Sequence, residues 1–209
     1  STFYLGANAK GHDMPAEHFE VSRDEHIATV TLNRPERNNA LTPDMLKQLE
    51  QIALAFREDT KSRVVIIRAA GDNCSFGAEL NSRREQPIDD VPLVQRRRMV
   101  EQGGRMMRAI QEIHQPTICA LQGVATGGGA CIATACDFRI GVETCRVGYG
   151  EVRIGMNLMW HALPVCVHLV GPARAKRMVM TGKLFDATTL LEWGFLDELV
   201  APDVLQSTA

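Results

Sequence analysis

The stretch that decides the fold is ATGGGAC, residues 125–131. It follows a short apolar segment, residues 117–121, and precedes further small and apolar residues up to Ala135. Three consecutive glycines cost backbone entropy in any regular element, so they indicate a close approach of the backbone to another group. At a strand-to-helix turn the first helical N–H groups lack intrahelical partners and the helix dipole is positive. The stretch therefore predicts a turn that can hold an anion, or an oxygen that becomes an anion during a reaction.

Strands are predicted on both sides of this turn. Residues 19–22 and 27–32 alternate apolar and polar side chains, which is typical of the two half-buried strands of a hairpin. Residues 64–67 are continuously apolar, as in a strand covered on both faces. Further strands are predicted at residues 117–121 and 138–142. Because helices separate the later strands, the pattern predicts an α/β fold with parallel pairing.

Helices are predicted between these strands. Thr42 is an N-cap residue, Pro43 suits the first helical position, and Asp44 is favourable in the first turn. A long helix is predicted over residues 94–114, with an interruption at residues 103–104, both of which are glycine. Two shorter helices are predicted to end at Gly182 and at Gly194.

Composition indicates an ordinary globular protein. The chain has 209 residues, of which 45% are hydrophobic and 23% are charged, enough for one core. Residues 14–209 are interpreted as a single domain. Residues 1–13 are interpreted as a flexible tail, either native or added to the natural sequence. A net charge of −2 provides no basic field for nucleic acid. The arginines at positions 96–98 are read as the solvated face of a helix, with a local phosphate contact as the alternative.

The six cysteines show no paired metal-ligand spacing, so no metal site is predicted. Most of them lie among apolar or small residues, where free cysteine behaves as a small hydrophobe. Reduced thiols favour a cytoplasmic location. No apolar run approaches the ~18 residues of a membrane span, so no such span is predicted.

Three glycine-bearing loops carry the candidate chemistry: residues 71–80, 125–131 and 148–155. Gly77 lets the first loop turn so that the Ala78 N–H points into a cavity, and the Gly128 N–H is available in the same way. Two such donors on one oxygen form an oxyanion hole, in which each is worth about 10²–10³ in rate. Glu151 beside them can remove a proton α to the polarised carbonyl. Taken singly, each feature is weak, because a glycine-rich strand-to-helix turn more often serves plain packing and a lone glutamate is usually a solvated side chain.

Taken together and in this order, the motifs resemble the enoyl-CoA hydratase/isomerase superfamily, the crotonases. The resemblance rests on TLNRPERNNAL at residues 31–41, SFGAEL at 75–80, the glycines at 127–129, ACD at 135–137, and residues 182–200. It implies a spiral of ββα units and an acyl-CoA thioester as the ligand. CoA is then part of the substrate, so no separate cofactor is expected. It also implies assembly into homotrimers or hexamers.

The resemblance also implies roles for individual residues. An enolate intermediate would be held by the N–H groups of Ala78 and Gly128, and the loop at Asn38 and Ala40 would help to hold CoA. Glu79, at a position where the family usually has aspartate, is interpreted as stabilising its loop. The expected substrate-contacting residues are Asn38, Ala40, Ala78, Glu79, Leu80, Gly128, Cys131 and Met159.

The chain departs from the family hydratases at one of two catalytic positions. Hydratases hold one water with two glutamates; the second matches Glu151, but the first matches Cys131. A neutral thiol cannot replace a carboxylate as the water's acceptor. One carboxylate suffices for double-bond isomerisation, so isomerisation with Glu151 as the single acid and base is preferred. The alternatives are a hydratase with another second group, decarboxylase or carbon–carbon lyase chemistry, and a non-catalytic acyl-CoA-binding homologue. Cys131 is interpreted as a packing residue rather than a nucleophile.

Two further departures lie towards the end of the chain. Where the family often has glycines, residues 156–161 read MNLMWH. Methionine and tryptophan are more often core than pocket residues, but here they follow the candidate base, so Met159 and Trp160 are also candidates to narrow or reshape the acyl pocket. His161 is interpreted as a structural histidine, with a second proton-transfer group as the alternative. The sequence also stops at Ala209, where the family normally continues into C-terminal helices. The expectation is that this region is truncated, not represented, or missing from the protein.

Overall fold

A computed structural model describes residues 17–80 and 90–209. The predicted tail, residues 1–13, therefore lies outside the described residues. In these two ranges no helix combines the length and the apolar character that a membrane crossing needs.

The strands in chain order are β1 (Phe19–Asp24), β2 (Ile27–Leu32), β3 (Val64–Ala69), β4 (Thr117–Leu121), β5 (Val124–Thr126), β6 (Phe138–Val142), β7 (Arg146–Gly148), β8 (Phe185–Asp186) and β9 (Glu198–Val200). The α-helices are α1 (Pro43–Ala55), α2 (Leu93–Gln111), α3 (Gly128–Ala135), α4 (Ala162–Val170), α5 (Pro172–Thr181), α6 (Ala187–Glu192) and α7 (Leu205–Thr208).

Six strands form the main sheet in the order β1-β2-β3-β4-β6-β9. The predicted hairpin is confirmed, since β1 and β2 are antiparallel with Asp24 opposite Ile27. Every other neighbouring pair in this sheet is parallel. The predicted α/β architecture with parallel pairing is therefore confirmed. Units of two strands and a helix recur, as in β1-β2-α1 and β4-β5-α3.

A second, three-stranded sheet has the order β5-β7-β8. Its strands have only two or three residues each, too few for a periodic signal. No pattern in the sequence predicts β5 or β8. This sheet matters for the site because β5 leads directly into the triple-glycine turn and β7 ends three residues before Glu151.

Helix α1 begins as its capping residues predict. The Met45 N–H donates to Thr42 Oγ1 over 3.1 Å, and Pro43 is the first helical residue. This bond satisfies one amide that has no partner inside the helix. The side chains that face the core share the spacing of one helical stripe. They are Met45, Leu46, Leu49, Ile52 and Ala53.

Helix α2 corrects one prediction, because it runs without interruption through Gly103 and Gly104. The two glycines are required by packing against a distant segment. A Cβ on Gly103 would lie 2.1 Å from the Trp160 ring, and a Cβ on Gly104 would lie 2.8 Å from the His161 ring. The helix also ends at Gln111, three residues before the predicted end.

Gly103→Ala is expected to destabilise the fold, although alanine normally favours a helix interior by about 1 kcal/mol over glycine. The new methyl group would overlap the indole ring of Trp160, and overpacking of this kind costs about 1–3 kcal/mol. Urea unfolding measures the change. A free energy of unfolding equal to or above that of the wild type would contradict the packing argument. Gln95→Ala, on an exposed part of the same helix, is the control.

Candidate active site

The loop that follows β3 is tied to the segment around Asn39. Buried Ser75 donates from its hydroxyl to the Asn39 carbonyl over 2.7 Å and accepts from the Gly77 N–H over 3.1 Å. The Phe76 N–H donates to the Asn38 carbonyl over 3.0 Å. These bonds fix the path of the loop against the segment at Asn38 and Asn39.

The same bonding pattern orients the Ala78 N–H. Leu41 donates to the Gly77 carbonyl over 2.8 Å and accepts from the Glu79 N–H over 2.9 Å. In an extended segment successive N–H groups point to opposite sides, so Ala78 directs its own N–H away from Leu41. Ala78 lines a cavity on that side.

Gly77 brings the two glycine-bearing loops into direct contact. A Cβ at this position would lie 2.6 Å from the Thr126 carbonyl oxygen and 2.8 Å from the Gly128 nitrogen. Gly77 also has a φ of +81°, which side-chain-bearing residues rarely adopt. Only glycine allows this approach, and the approach places Ala78 beside the first turn of α3.

Gly128 is the first residue of α3, so its N–H has no partner inside the helix. Gly127 precedes it with a φ of +52° and a ψ of −118°, a conformation that glycine adopts readily. Gly128 lines the same cavity as Ala78. The residues of the two predicted donors therefore line one cavity.

Glu151 lines the same cavity, close to the triple-glycine turn. It begins a 3-10 helix, Glu151–Ile154, and its Oε1 lies 3.3 Å from the position of a Cβ on Gly127. Among the described residues, no group forms a hydrogen bond with its buried Oε2 atom. Burial raises the pKa of the Glu151 carboxyl above its usual range. A desolvated carboxylate is a stronger proton acceptor than an exposed one.

Cys131 lies on α3 in the wall of the same cavity. Its side chain is buried, and burial, followed by the nearby charge of Glu151, raises the pKa of the thiol well above its usual range. The thiol is therefore neutral at physiological pH. This argues for the predicted packing role, because a nucleophilic cysteine needs a lowered pKa.

The cavity has a volume of about 190 Å³. Glu151 is the only carboxylate among the described residues that line it. Its walls are formed by Phe76, Ala78, Leu80, Thr126, Gly127, Gly128, Cys131, Gly150, Glu151, Ile154, Met156, Met159 and Trp160.

A more open groove of about 410 Å³ adjoins the cavity. Phe76, Ala78 and Leu80 line both spaces, so the two connect at the loop that carries Ala78. The groove contains the residues for which CoA contacts were predicted, together with their neighbours. They are Glu36, Arg37, Asn38, Ala40, Phe76, Ala78, Glu79 and Leu80.

Glu79 forms ion pairs with two arginines at the edge of the groove. Its carboxylate lies 3.3 Å from a guanidinium nitrogen of Arg34 and 3.1 Å from one of Arg37. The hydrogen bond from Arg34 is the largest cause that lowers the pKa of the Glu79 carboxyl. These contacts join the loop to the segment at residues 34–37, as the loop-stabilising interpretation predicts.

The structure places at the cavity several residues that the sequence did not single out. It also places outside the cavity one residue that the sequence did single out. Phe76, Thr126 and Ile154 line the cavity, although only their positions next to predicted residues hinted at this. His161 is exposed and is not among the lining residues, so it is misplaced for the proton-transfer role considered above. Its ring lies against Gly104 instead.

Glu151→Gln is expected to stabilise the fold at neutral pH. Because the folded pKa is raised, folded Glu151 binds its proton more tightly than the unfolded chain does, so stability falls as pH rises from 4.5 to the folded pKa. Glutamine does not titrate, so the variant does not lose stability as the pH rises through this range. Its urea midpoint should exceed that of the wild type at about pH 7, and the difference should shrink towards about pH 4. A midpoint below that of the wild type at neutral pH would contradict the desolvation argument.

Comparisons with known proteins agree with this geometry. The sequence model of the enoyl-CoA hydratase/isomerase family matches residues 22–209. A short-chain-enoyl-CoA hydratase of Clostridium acetobutylicum is 30% identical over 90% of this chain and 71% of its own length. The enoyl-CoA isomerase/hydratase fer4 of Mycosarcoma maydis is 32% identical over 95% of this chain and 72% of its own length.

Solved structures show the same fold. The crystal structure of an enoyl-CoA hydratase from Bacillus anthracis superposes with a TM-score of 0.83 at 28% identity, covering 91% of this chain and 73% of that one. A Thermobifida fusca protein crystallised in complex with CoA superposes with a TM-score of 0.82 at 25% identity, covering 92% and 76%. The predicted crotonase-like fold is thus confirmed. With its family match extending from residue 22 to 209, the chain belongs to the enoyl-CoA hydratase/isomerase family.

Proposed function

We propose that the protein isomerises the double bond of an enoyl-CoA thioester, with Glu151 as the single acid and base. The observation that carries this proposal is the lone carboxylate among the described lining residues, opposite the neutral thiol of Cys131. Isomerisation moves one proton between two carbons and adds no water. It therefore needs one carboxylate where hydration by the family's usual route needs two.

The geometry supports a sequence of two proton transfers. The thioester oxygen accepts hydrogen bonds from the Ala78 and Gly128 N–H groups, which polarises the carbonyl. Glu151 removes a proton from C2 of a 3-enoyl thioester, and the electron pair delocalises over the oxygen and C4. The protonated Glu151 then returns the proton to C4, which leaves the double bond between C2 and C3. Atoms and charge balance without a further reactant.

The adjoining groove supports CoA as the carrier. It begins at Asn38 and Ala40 and reaches the cavity at Ala78, so a ligand in the groove would deliver its thioester to the two donors. Arg37 is the one cation among the described residues that line this groove. Its guanidinium, which also pairs with Glu79, lies near the expected path of the CoA phosphates. The Thermobifida fusca relative, which was crystallised with CoA, supports the same ligand class for this fold.

Hydration of a 2-enoyl-CoA is the second candidate. It is favoured by the names of the Clostridium acetobutylicum and Syntrophomonas wolfei relatives, a short-chain-enoyl-CoA hydratase and a crotonyl-CoA hydratase. The Mycosarcoma maydis relative carries both activities in its name. For hydration, Glu151 would have to hold the water alone, because the described cavity wall provides no second carboxylate. Hydration therefore fits the site less well than isomerisation does.

Incubation of the purified protein with 3-enoyl-CoA and, separately, with 2-enoyl-CoA tests the proposal. Chromatography with mass spectrometry should show conversion of the 3-enoyl to the 2-enoyl thioester at unchanged mass. Hydration of the 2-enoyl thioester should be at least about 10²-fold slower, the low end of what one acid–base group supplies. Hydration at an equal or greater rate would reverse the preference. Binding of both thioesters without turnover would favour a non-catalytic role.

A further inference from the structure

Trp160 occupies an unusual place between two helices. Its six-membered ring lies on Gly128, where a Cβ would be 2.5 Å from the nearest ring carbon. Its five-membered ring lies on Gly103 of α2, where a Cβ would be 2.1 Å away. The indole therefore fills the space between α2 and α3, directly beside one of the predicted oxyanion donors.

The backbone is strained where it carries the Trp160 side chain. Trp160 and His161 both have a φ of +60°, a conformation that bulky residues seldom adopt. Such strain persists where the surroundings determine the position of the residue. Here the surroundings are the two glycines of α2, which leave room for Trp160 and His161. The two glycines of α2 thus fit the two ring side chains, which indicates that Trp160 is held in a fixed position and forms a rigid wall.

The other large apolar residues lie on the open side of the cavity. Leu80 and Ile154 are exposed, and Met156 and Met159 are more than a third exposed. Trp160, in contrast, packs against the buried core. The indole therefore belongs to the wall of the cavity that faces the core, and the exposed residues form its rim.

The indole blocks the space between α2 and α3 that an acyl chain could otherwise enter. Its ring atoms lie 2.1 Å from the position of a Cβ on Gly103 and 2.5 Å from that of a Cβ on Gly128. A chain that reaches the indole must therefore displace it or turn towards the exposed rim.

We propose that Trp160 sets the length of the acyl chain and restricts the site to short acyl groups. This inference rests on acyl-CoA as the ligand, as proposed above. It concerns Trp160 as a specificity-determining residue, since the indole would contact the end of the acyl chain and take no part in proton transfer.

The test measures binding of saturated thioesters, which undergo neither hydration nor isomerisation. Butyryl-, hexanoyl- and octanoyl-CoA are titrated by calorimetry into the wild type, Trp160→Ala and His161→Ala. His161→Ala is the matched control. His161 is the next residue, has the same φ as Trp160 and packs on Gly104, but it does not line the cavity. Trp160→Phe is included because loss of the whole indole carries a risk to folding.

The wild type should bind octanoyl-CoA no more tightly than butyryl-CoA. Trp160→Ala should bind octanoyl-CoA at least about tenfold more tightly than the wild type does, the gain from burying two further methylenes. Trp160→Phe should shift binding in the same direction by less, and His161→Ala should leave the length preference unchanged.

Three results would overturn the inference. Octanoyl-CoA binding that is already stronger than butyryl-CoA binding in the wild type, or an equal shift in His161→Ala, would show that Trp160 does not limit chain length while leaving the proposed reaction intact. Absence of binding of all three thioesters to the wild type would instead overturn the acyl-CoA ligand, and this inference with it.

Discussion

Glu151→Gln is expected to lower the turnover of a 3-enoyl-CoA by about 10⁴-fold, the upper end of the effect of one acid–base group. The large effect follows from the cavity, because no second carboxylate from the described residues lines it and both proton transfers would pass through Glu151. Glutamine keeps the size of the side chain and removes its ability to accept the proton. Steady-state kinetics should therefore show a fall in kcat with little change in the affinity for a saturated acyl-CoA.

The matched control is Glu143→Gln, which makes the same chemical change at an exposed position. It should leave kcat within a fewfold of the wild-type value. If Glu151→Gln retained a tenth or more of the wild-type activity, another group would have to carry the proton, and the single-carboxylate mechanism would be wrong.

Gly77→Ala is expected to reduce turnover by about 10²–10³-fold, the effect of losing one oxyanion donor. The added methyl group would meet the Thr126 carbonyl oxygen and the Gly128 nitrogen, so the two loops would have to separate. Separation would move the Ala78 and Gly128 N–H groups apart and leave the thioester oxygen with one aligned donor. Because an oxyanion is stabilised chiefly in the transition state, kcat should fall more than the affinity for acyl-CoA.

Gly194→Ala separates this effect from backbone strain. Gly194 has a similar φ of +74°, but a Cβ there would meet no atom within 4 Å. The control should lose stability through its backbone conformation while retaining the wild-type kcat. Similar losses of kcat in both variants would mean that strain, rather than separation of the two donors, explains the result for Gly77→Ala.

Local signals in the sequence predicted the parts of the fold that depend on neighbouring residues. Thr42 and Pro43 identified the start of α1 because a cap is formed within one turn of helix. The glycines at 127–129 indicated a turn with a free helix N-terminus, and α3 begins at Gly128. Resemblance to the family also placed Cys131 and Glu151 at one site, and the structure brings both to the same cavity.

The parts that the sequence did not predict depend on contacts between distant residues. Helix propensity alone indicated a break at Gly103 and Gly104, whereas these glycines make room for Trp160 and His161 inside a continuous helix. Helix α4 was also missed, because it begins after a residue with positive φ and has no capping side chain. The roles of the site residues stay predictions until they are tested by substitution.

The central claim is that one carboxyl group carries a proton from C2 to C4 and adds no water. The direct measurement uses a 3-enoyl-CoA with deuterium at C2, incubated with the protein in ordinary water and followed by mass spectrometry. We expect a 2-enoyl product in which part of the transferred deuterium is found at C4, because one oxygen of the Glu151 carboxyl is buried and exchanges slowly with water. A product with the mass of an added water, or one that never carries deuterium at C4, would contradict the claim.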